Sequence, residues 1–283
     1  MRNIGKKLFS LFILITLFLA ACSGGSDNGT ADEGTSNDDS AEPTSGGVLN
    51  IGLSSNAATL DPTLYTGVYE SQIMRQIADT LIEYDKELDD FIPVLATEWE
   101  ASEDMMSYTF KLRDDVYFQP GEYQDGRQMT AEDDKYSLER SAEQSAQNRL
   151  AGVKSVEVVD DFEVIIHLEE PNAALLAMLT DTGNIIIPRE EVEGWGDLFG
   201  ANLIGTGPFM LENWQTDQQV DLVKHENYWG EEPHLDGVTF KFITDQSMMV
   251  NAIRSGDIDI ATDIKGQNRE VVQQDDNLEL LTT

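Results

Sequence analysis

The stretch Val48-Leu49-Asn50-Ile51-Gly52-Leu53 alternates apolar residues with small or polar ones. This period of two predicts a β-strand that buries one of its faces. A loop from Ser54 to Pro62 follows, and apolar residues in steps of four then predict a helix from about Tyr69 to Ile82. A strand, a loop and a helix in this order favour an α/β fold class.

Further elements follow along the chain. Thr130, with Glu132 and Asp133 behind it, is typical of a helix start, and Gly256 is a natural end for a helix over 246–254. Alternating or continuous apolar residues predict strands at 108–113, 156–159, 162–168, 185–187, 209–212, 220–223 and 238–243. Because the two element types alternate irregularly, a mixed α/β fold is favoured over a regular parallel barrel.

The composition excludes several classes of protein. The 283 residues include 53 acids and 18 bases, for a formal net charge of −35, and phosphate would repel such a chain. We therefore expect no nucleic-acid partner. A single cysteine excludes an internal disulfide and a cysteine-based zinc or iron–sulfur site.

The amino terminus predicts secretion. Three bases precede an apolar run, Leu8–Leu19, that is too short for a comfortable membrane helix, so residues 1–21 are predicted to be a signal peptide. Leu19-Ala20-Ala21-Cys22 resembles the lipobox of bacterial lipoproteins, which implies that Cys22 carries the lipid. The alternative is an ordinary signal peptide with a chance cysteine.

Residues 22–47 are polar and acidic, without an aromatic residue, which predicts a disordered tether. The predicted location is therefore extracytoplasmic, with the chain lipid-anchored to the outer face of the cytoplasmic membrane. A long tether favours a Gram-positive cell.

No catalytic or metal-binding pattern stands out in the sequence. His167, His225 and His234 lie apart, without a second ligand at metal spacing. Adjacent carboxylates are expected by chance among 53 acids. Gly205-Thr206-Gly207-Pro208 lacks the Lys-Ser/Thr of a phosphate loop. We therefore expect no enzyme activity, no metal and no cofactor.

A set of short motifs carries a resemblance to a known family. They are Leu60-Asp61-Pro62, Pro93-Val94-Leu95-Ala96, Tyr108-Thr109-Phe110-Lys111-Leu112-Arg113, Thr130-Ala131-Glu132-Asp133, Tyr136-Ser137-Leu138-Glu139-Arg140, Gly205-Thr206-Gly207-Pro208-Phe209, Asn227-Tyr228-Trp229-Gly230 and Ser255-Gly256-Asp257-Ile258-Asp259. In their order and spacing, from Val48 to about Leu281, the chain resembles family 5 of the bacterial extracellular solute-binding proteins, which serve peptide, nickel and opine ABC importers.

The resemblance implies a fold and a domain organisation. The fold would be the first lobe of a type II, cluster C periplasmic-binding-protein fold, with an inserted subdomain and the second lobe missing. Residues 48–80 and 203–283 would form the core of lobe I, and residues 81–202 the inserted subdomain. Family members are about twice as long, so we expect a truncated sequence.

The same resemblance implies a function. The chain would be a monomeric substrate-binding lipoprotein that captures oligopeptides or dipeptides and delivers them to ABC permease subunits. Alternatives are a nickel chelate or another small solute, or a lipoprotein for adhesion or sensing without transport. The ligand-binding residues predicted after the first strand are Ser54, Ser55, Asn56, Tyr65 and Thr66. Backbone groups there could pair with an extended peptide, and Tyr65 would offer a flat face and a hydroxyl. The alternative is that these residues only cap the strand.

Two departures from the family pattern stand out. Phe118-Gln119-Pro120-Gly121 replaces the usual Phe-His-Asp-Gly, and Asp134 replaces a valine that is normally buried. A buried charge is costly unless it is paired. We therefore expect Asp134 to be paired or exposed, or its helix to pack differently.

Overall fold

The computed structural model describes residues 44–281. Its strands are β1 (Val48–Leu53), β2 (Ile82–Tyr84), β3 (Phe91–Pro93), β4 (Ala96–Ala101), β5 (Ser107–Leu112), β6 (Val153–Asp160), β7 (Glu163–Leu168), β8 (Phe209–Gln215), β9 (Gln219–Lys224), β10 (Gly237–Phe242) and β11 (Ile260–Ala261). The α-helices are α1 (Val68–Ile77), α2 (Ala131–Gln144), α3 (Leu175–Leu179), α4 (Arg189–Trp195), α5 (Gln246–Ser255) and α6 (Gln267–Gln273). Two 3-10 helices cover Thr182–Asn184 and Gly196–Ala201.

The first strand lies inside a five-stranded sheet, here called the core sheet, with the order β11-β1-β10-β9-β8. β1 is parallel to β10 and to β11, while β10, β9 and β8 run antiparallel to one another. Ile51 stands opposite Phe240 on one side and Ile260 on the other. Parallel and antiparallel pairs in one sheet, with helices between strands, confirm the mixed α/β class.

A second, antiparallel sheet has the order β4-β5-β7-β6. Strand β5, one of its two central strands, buries Tyr108 and Phe110, as its alternation predicts. These two side chains belong to a hydrophobic cluster here called the second-sheet cluster.

A separate hydrophobic cluster, here called the core-sheet cluster, packs against the core sheet. It draws on residues before Leu81, such as Leu53 and Ile73, but also takes in Ile187 and Phe199 from the segment predicted to be inserted. The division into a lobe core (48–80 and 203–283) and an inserted subdomain (81–202) stays a proposal.

Helix α1 ends earlier than the sequence predicts. It stops at Ile77 instead of Ile82, and Ala78 is already extended. The Gly205-Thr206-Gly207 segment lies directly on this helix end: the Gly207 N–H donates to the Ile77 carbonyl at 2.8 Å, and a Cβ on Gly207 would come within 2.7 Å of the Ile77 carbonyl carbon. The glycine motif therefore serves close backbone packing.

Gln119, at one of the two departures from the family pattern, is fully buried at the same place. Its Nε2 donates to the carbonyls of Ile77 at 2.9 Å, Phe209 at 2.8 Å and Gly207 at 3.1 Å, and its Oε1 accepts from the Gly205 N–H at 3.2 Å. One amide thus joins the loop after β5 to the end of α1 and the start of β8.

The strand predicted at residues 185–187 does not form. The segment is buried and extended, but it joins no sheet. The Ile186 N–H donates to the Asp79 carbonyl at 2.9 Å, and the Ile187 N–H donates to the Ser137 hydroxyl at 3.0 Å. These partners satisfy the buried backbone without a ladder.

Helix α2 begins after Thr130, as predicted. The Thr130 N–H donates to the Asp133 carboxylate at 3.0 Å, and Arg127 donates to the same carboxylate at 2.6 and 2.8 Å. The expectation that Asp134 is paired or exposed is wrong, because its side chain is fully buried and neither carboxylate oxygen has a hydrogen-bond partner among residues 44–281. Burial, and then the nearby Asp133 charge, raise the pKa of Asp134 well above its ordinary value.

Candidate functional site

The site is built on one edge of the core sheet. Because β1, β10 and β11 are parallel, their carboxyl ends at Leu53, Phe242 and Ala261 lie at the same edge. In open α/β sheets, ligands bind outside the carboxyl ends of the strands. The loop that starts at Ser54 leaves the sheet at this edge.

Four side chains meet here, and we call them the edge cluster: Ser54, Tyr69, Asp263 and Lys265. The Ser54 and Tyr69 hydroxyl oxygens are 2.5 Å apart, and each lies 3.2 Å from Asp263 Oδ2. Because each hydroxyl has a single proton, one donates to the other, which in turn donates to Asp263. Lys265 Nζ is 2.6 Å from the same oxygen, and its hydrogen bond lowers the pKa of Asp263. Asp263 has a φ of 60°, which is unusual for a residue other than glycine.

Next along the loop, Ser55 is exposed and Asn56 is half-buried. Asn56 Nδ2 donates to Asp217 Oδ1 at 2.6 Å, in the turn between β8 and β9. The backbone N–H groups of Ser55 and Asn56 have no hydrogen-bond acceptor within the described part of the chain. The loop therefore presents unpaired backbone groups at the sheet edge.

Tyr65 and Thr66 lie apart from the edge cluster. Tyr65 is only 6% exposed; its hydroxyl donates to Asp181 Oδ1 at 3.0 Å, and the Arg149 guanidinium stands 4.0 Å from the ring centroid. Burial, and then the Asp181 charge, raise the pKa of Tyr65. The predicted open face of Tyr65 is thus covered. Thr66 is exposed, and its carbonyl accepts from Gln147 at 3.5 Å.

A buried ion pair fixes the loop between these two groups. Both Asp61 oxygens accept from Arg140 of α2, at 2.9 and 2.7 Å, and Asp61 Oδ1 also accepts from the Thr63 N–H and hydroxyl. Burial opposes the ionisation of Asp61, but the hydrogen bonds and charge of Arg140, with help from Thr63, outweigh it and keep the pKa low. Two of the sequence motifs, Leu60-Asp61-Pro62 and the one ending in Arg140, are therefore partners in space.

A cavity of about 630 Å³ opens beside the loop. Its walls come from the loop after β1, the 3-10 helix Gly196–Ala201 and strand β8. The loop contributes Ala57, Ala58 and Thr59, and the turn after β8 contributes Asp217, the partner of Asn56. The cavity wall thus begins at Ala57, directly after the predicted residues 54–56, and the space is large enough for a small molecule.

Sequence reasoning found Ser54 but missed its partners. Asp263 and Lys265 lie more than 200 positions further along the chain, and only the parallel pairing of β1 with β11 brings them to Ser54. Tyr69 was placed in a helix, with no sign that its hydroxyl turns towards the loop. A parallel pairing of distant strands leaves no local pattern that could have revealed this cluster.

The remaining predictions about chemistry concern absences and the amino terminus. Within residues 44–281, no group of three or more His, Cys, Asp or Glu side chains is arranged to hold a metal ion. No helix of that same range has both the length and the apolarity needed to cross a membrane. Cys22, the predicted lipid attachment site, and the residues predicted as signal peptide and most of the tether lie outside the described residues.

Comparison with known proteins adds the family. Residues 90–283 match the family model described as bacterial extracellular solute-binding proteins, family 5 middle. The glutathione-binding protein GsiB of Salmonella paratyphi A is 28% identical over 238 residues, covering 82% of this chain and 45% of that protein.

Solved structures agree with that match. The periplasmic binding protein DppA of Helicobacter pylori, in complex with the peptide STSA, superposes with a TM-score of 0.77 at 28% identity, covering 83% of this chain and 50% of DppA. NikZ of Campylobacter jejuni, in complex with Ni(L-His), superposes with a TM-score of 0.72 at 26% identity, covering 81% of this chain and 46% of NikZ.

These matches confirm the periplasmic-binding-protein fold. The chain spans about half the length of the relatives it matches. Proteins of the matched family bind solutes outside the cytoplasm and are not enzymes, which confirms those two expectations. With the model match extending over most of its length, the chain belongs to family 5 of the bacterial extracellular solute-binding proteins.

Proposed function

We propose that this chain captures oligopeptides or dipeptides outside the cell for an ABC importer. The observation that carries the proposal is the loop at the sheet edge, where Ser55 and Asn56 keep their backbone N–H groups free of partners within residues 44–281. An extended peptide can pair with such groups in the manner of an added strand. The similarity to DppA, which was solved with a peptide, and to a glutathione-binding protein supports the same ligand class.

The surrounding contacts make this loop a suitable docking edge. The Asp61–Arg140 pair holds the loop on α2, so little ordering is required when a peptide pairs with it. The edge cluster adds a carboxylate and an ammonium group beside Ser54. A peptide carries both charges at its ends, so these groups can orient it.

The test is binding to the purified secreted chain, followed by NMR of backbone amides. We expect the tetrapeptide Ser-Thr-Ser-Ala and glutathione to shift and protect the amides of Ser55 and Asn56, while amides of the second sheet stay unchanged. Replacing Asn56 with proline removes one N–H and should weaken binding about fivefold, the value of one hydrogen bond of about 1 kcal/mol. Lys86→Pro, in the exposed turn between β2 and β3, is the matched control. Unchanged amides at 55 and 56 under saturating peptide would refute strand addition.

A nickel chelate is the second candidate ligand. It is favoured by the similarity to NikZ, which was solved with Ni(L-His). In that case nickel–histidine, and not peptide, would shift the amides at the sheet edge and raise the melting temperature of the chain. A parallel titration with both ligands separates the two functions.

We also propose that Cys22 is lipidated, that residues 22–47 tether the domain to the membrane of a Gram-positive cell, and that the chain is a monomer that docks on permease subunits. The sequence of residues 1–47 supports the anchor. Labelling with a radioactive fatty acid tests it, and Cys22→Ser should release the protein into the medium. Release of the unaltered protein to the same extent would contradict the anchor.

A further inference from the structure

The cavity beside the loop differs from the edge cluster in its chemistry. Eighteen residues line it, and none of them is a lysine, an arginine or a histidine. Four carry carboxylates, namely Glu122, Asp197, Glu212 and Asp217. All four are exposed at the cavity, and none of the ion pairs within residues 44–281 includes them. The walls therefore carry four carboxylates, none of which forms an ion pair with a cation of the described range.

Two indole rings stand among these carboxylates. Trp195 and Trp214 both line the cavity, and both are half-buried. Trp195 is fixed, because its Nε1 donates to the buried Glu191 at 3.0 Å and its ring meets Tyr123 edge-on at 5.6 Å between centroids. A rigid indole is the side chain that attracts cations best through its ring face.

These features combine into a recognisable chemistry. We propose that this cavity binds an organic cation, a guanidinium or an alkylammonium group, between the indoles and the carboxylates of its walls. Its volume of about 630 Å³ lies within the range of small-molecule pockets, so it accommodates a molecule the size of an arginine derivative. The net charge of −35 adds a long-range attraction for cations. The inference rests on the cavity and not on a transport role.

The test compares two probes that differ in charge alone. Argininamide carries a guanidinium, and citrullinamide is its neutral counterpart with a urea group. Two of the four tryptophans of the chain line the cavity, so fluorescence reports binding. The α-amines of both probes are acetylated, so that the guanidinium of argininamide is the only charge by which the probes differ. We expect acetylated argininamide to quench fluorescence saturably and to bind at least tenfold more tightly than the citrulline compound.

Variants separate the cavity from the charge of the whole surface. Removing two cavity charges in Asp197→Asn/Glu212→Gln should weaken argininamide binding about fourfold, because each exposed charge pair contributes about twofold. Trp214→Leu should abolish most of the quenching and weaken binding further. The matched control Glu226→Gln/Glu231→Gln removes two exposed charges elsewhere and should leave binding unchanged.

Two results would overturn the proposal. One is equal binding of the charged and neutral probes. The other is equal loss of binding in the cavity variant and in the control, since that would show diffuse attraction to an acidic surface. Circular dichroism of each variant confirms folding before the titrations are interpreted. Peptide protection of Ser55 and Asn56 is unaffected by these outcomes, so failure here is distinct from failure of the proposed peptide function.

Discussion

Two buried carboxylates at helix α2, Asp61 and Asp134, have opposite surroundings. On one side, Arg140 reaches Asp61 with two hydrogen bonds of 2.9 and 2.7 Å, and the carboxylate is ionised with a low pKa. On another side, Asp134 lies near Ala131 and Leu138 of the second-sheet cluster with no partner in the described range and a raised pKa. A buried carboxylate can keep its charge where a cation is fixed beside it, whereas burial without a cation favours its neutral form.

The largest effect is expected from breaking the paired side. Arg140→Met leaves the Asp61 charge buried without its cation, so the free energy of unfolding should fall by about 4 kcal/mol. Urea denaturation at pH 7 measures this change. The double variant Asp61→Asn/Arg140→Met removes both charges and should recover part of the loss; no recovery would mean that Arg140 acts by packing alone.

The next largest effect is expected at Asp134, the carboxyl without a partner, and it is an increase in the free energy of unfolding. Asp134→Val removes a buried carboxyl without partners and should raise the free energy of unfolding by about 3 kcal/mol. The pKa of Asp134 is higher in the folded state than in the unfolded state. Asp134 therefore contributes its full stabilisation at pH values below its unfolded-state pKa, and this stabilisation is lost as the pH rises through the folded-state pKa. The gain in Asp134→Val should therefore be smallest in acid and grow with pH in parallel urea titrations. Asp134→Asn, which stays polar, serves as the control and should gain less.

Asp79 offers an intermediate case that sharpens the comparison. Its Oδ2 accepts from the Thr206 hydroxyl at 2.9 Å and from Trp229 Nε1 at 3.2 Å, but it has no cation, and burial raises its pKa to about 6. Asp79 thus stabilises the fold below about pH 4, and this contribution is lost as the pH rises to about 6.

Asp79→Asn keeps an acceptor for both donors and cannot ionise. It should therefore raise the free energy of unfolding by about 2 kcal/mol at pH 8 and change it little at pH 4. Thermal denaturation at the two pH values measures the difference. An equal effect at both pH values would show that the carboxyl does not titrate in this range.

The smallest effect is expected at an exposed pair. Lys111 and Glu98 lie 2.9 Å apart on neighbouring strands, with side chains 59% and 69% exposed. Water screens such a pair, so Lys111→Met should change the free energy of unfolding by less than about 0.5 kcal/mol. A loss as large as that of Arg140→Met would show that burial does not distinguish the two ion pairs.

The sequence could predict the features that depend on local patterns. The alternation of residues 48–53, the cap at Thr130 and the stop at Gly256, with its φ of 78°, all appear in the structure. The sequence could not predict where α1 ends, because the Gly205-Thr206-Gly207 segment, distant in sequence, packs on the helix end at Ile77. The apolar run at 185–187 resembled a strand, although its hydrogen bonds go to Ser137 and Asp79.

The candidate site divides in the same manner. Ser54, Ser55 and Asn56 lie at the sheet edge, where their position after the first strand places them. Tyr65 was expected to be open, but Arg149 covers it from a part of the chain 84 positions away. Asp134 could be recognised as unusual from the sequence, whereas its lack of a partner depends on side chains that only the fold brings near.

Gln119 has a consequence for how the molecule opens. Its single side-chain amide bonds to α1, to the glycine segment and to β8, while its own backbone belongs to the loop that leaves strand β5 of the second sheet. Separating the two sheets would break all four of these hydrogen bonds at once, and each contributes about 1 kcal/mol. The core sheet and the second sheet are therefore expected to exchange their amide hydrogens in one cooperative event, as a single unfolding unit.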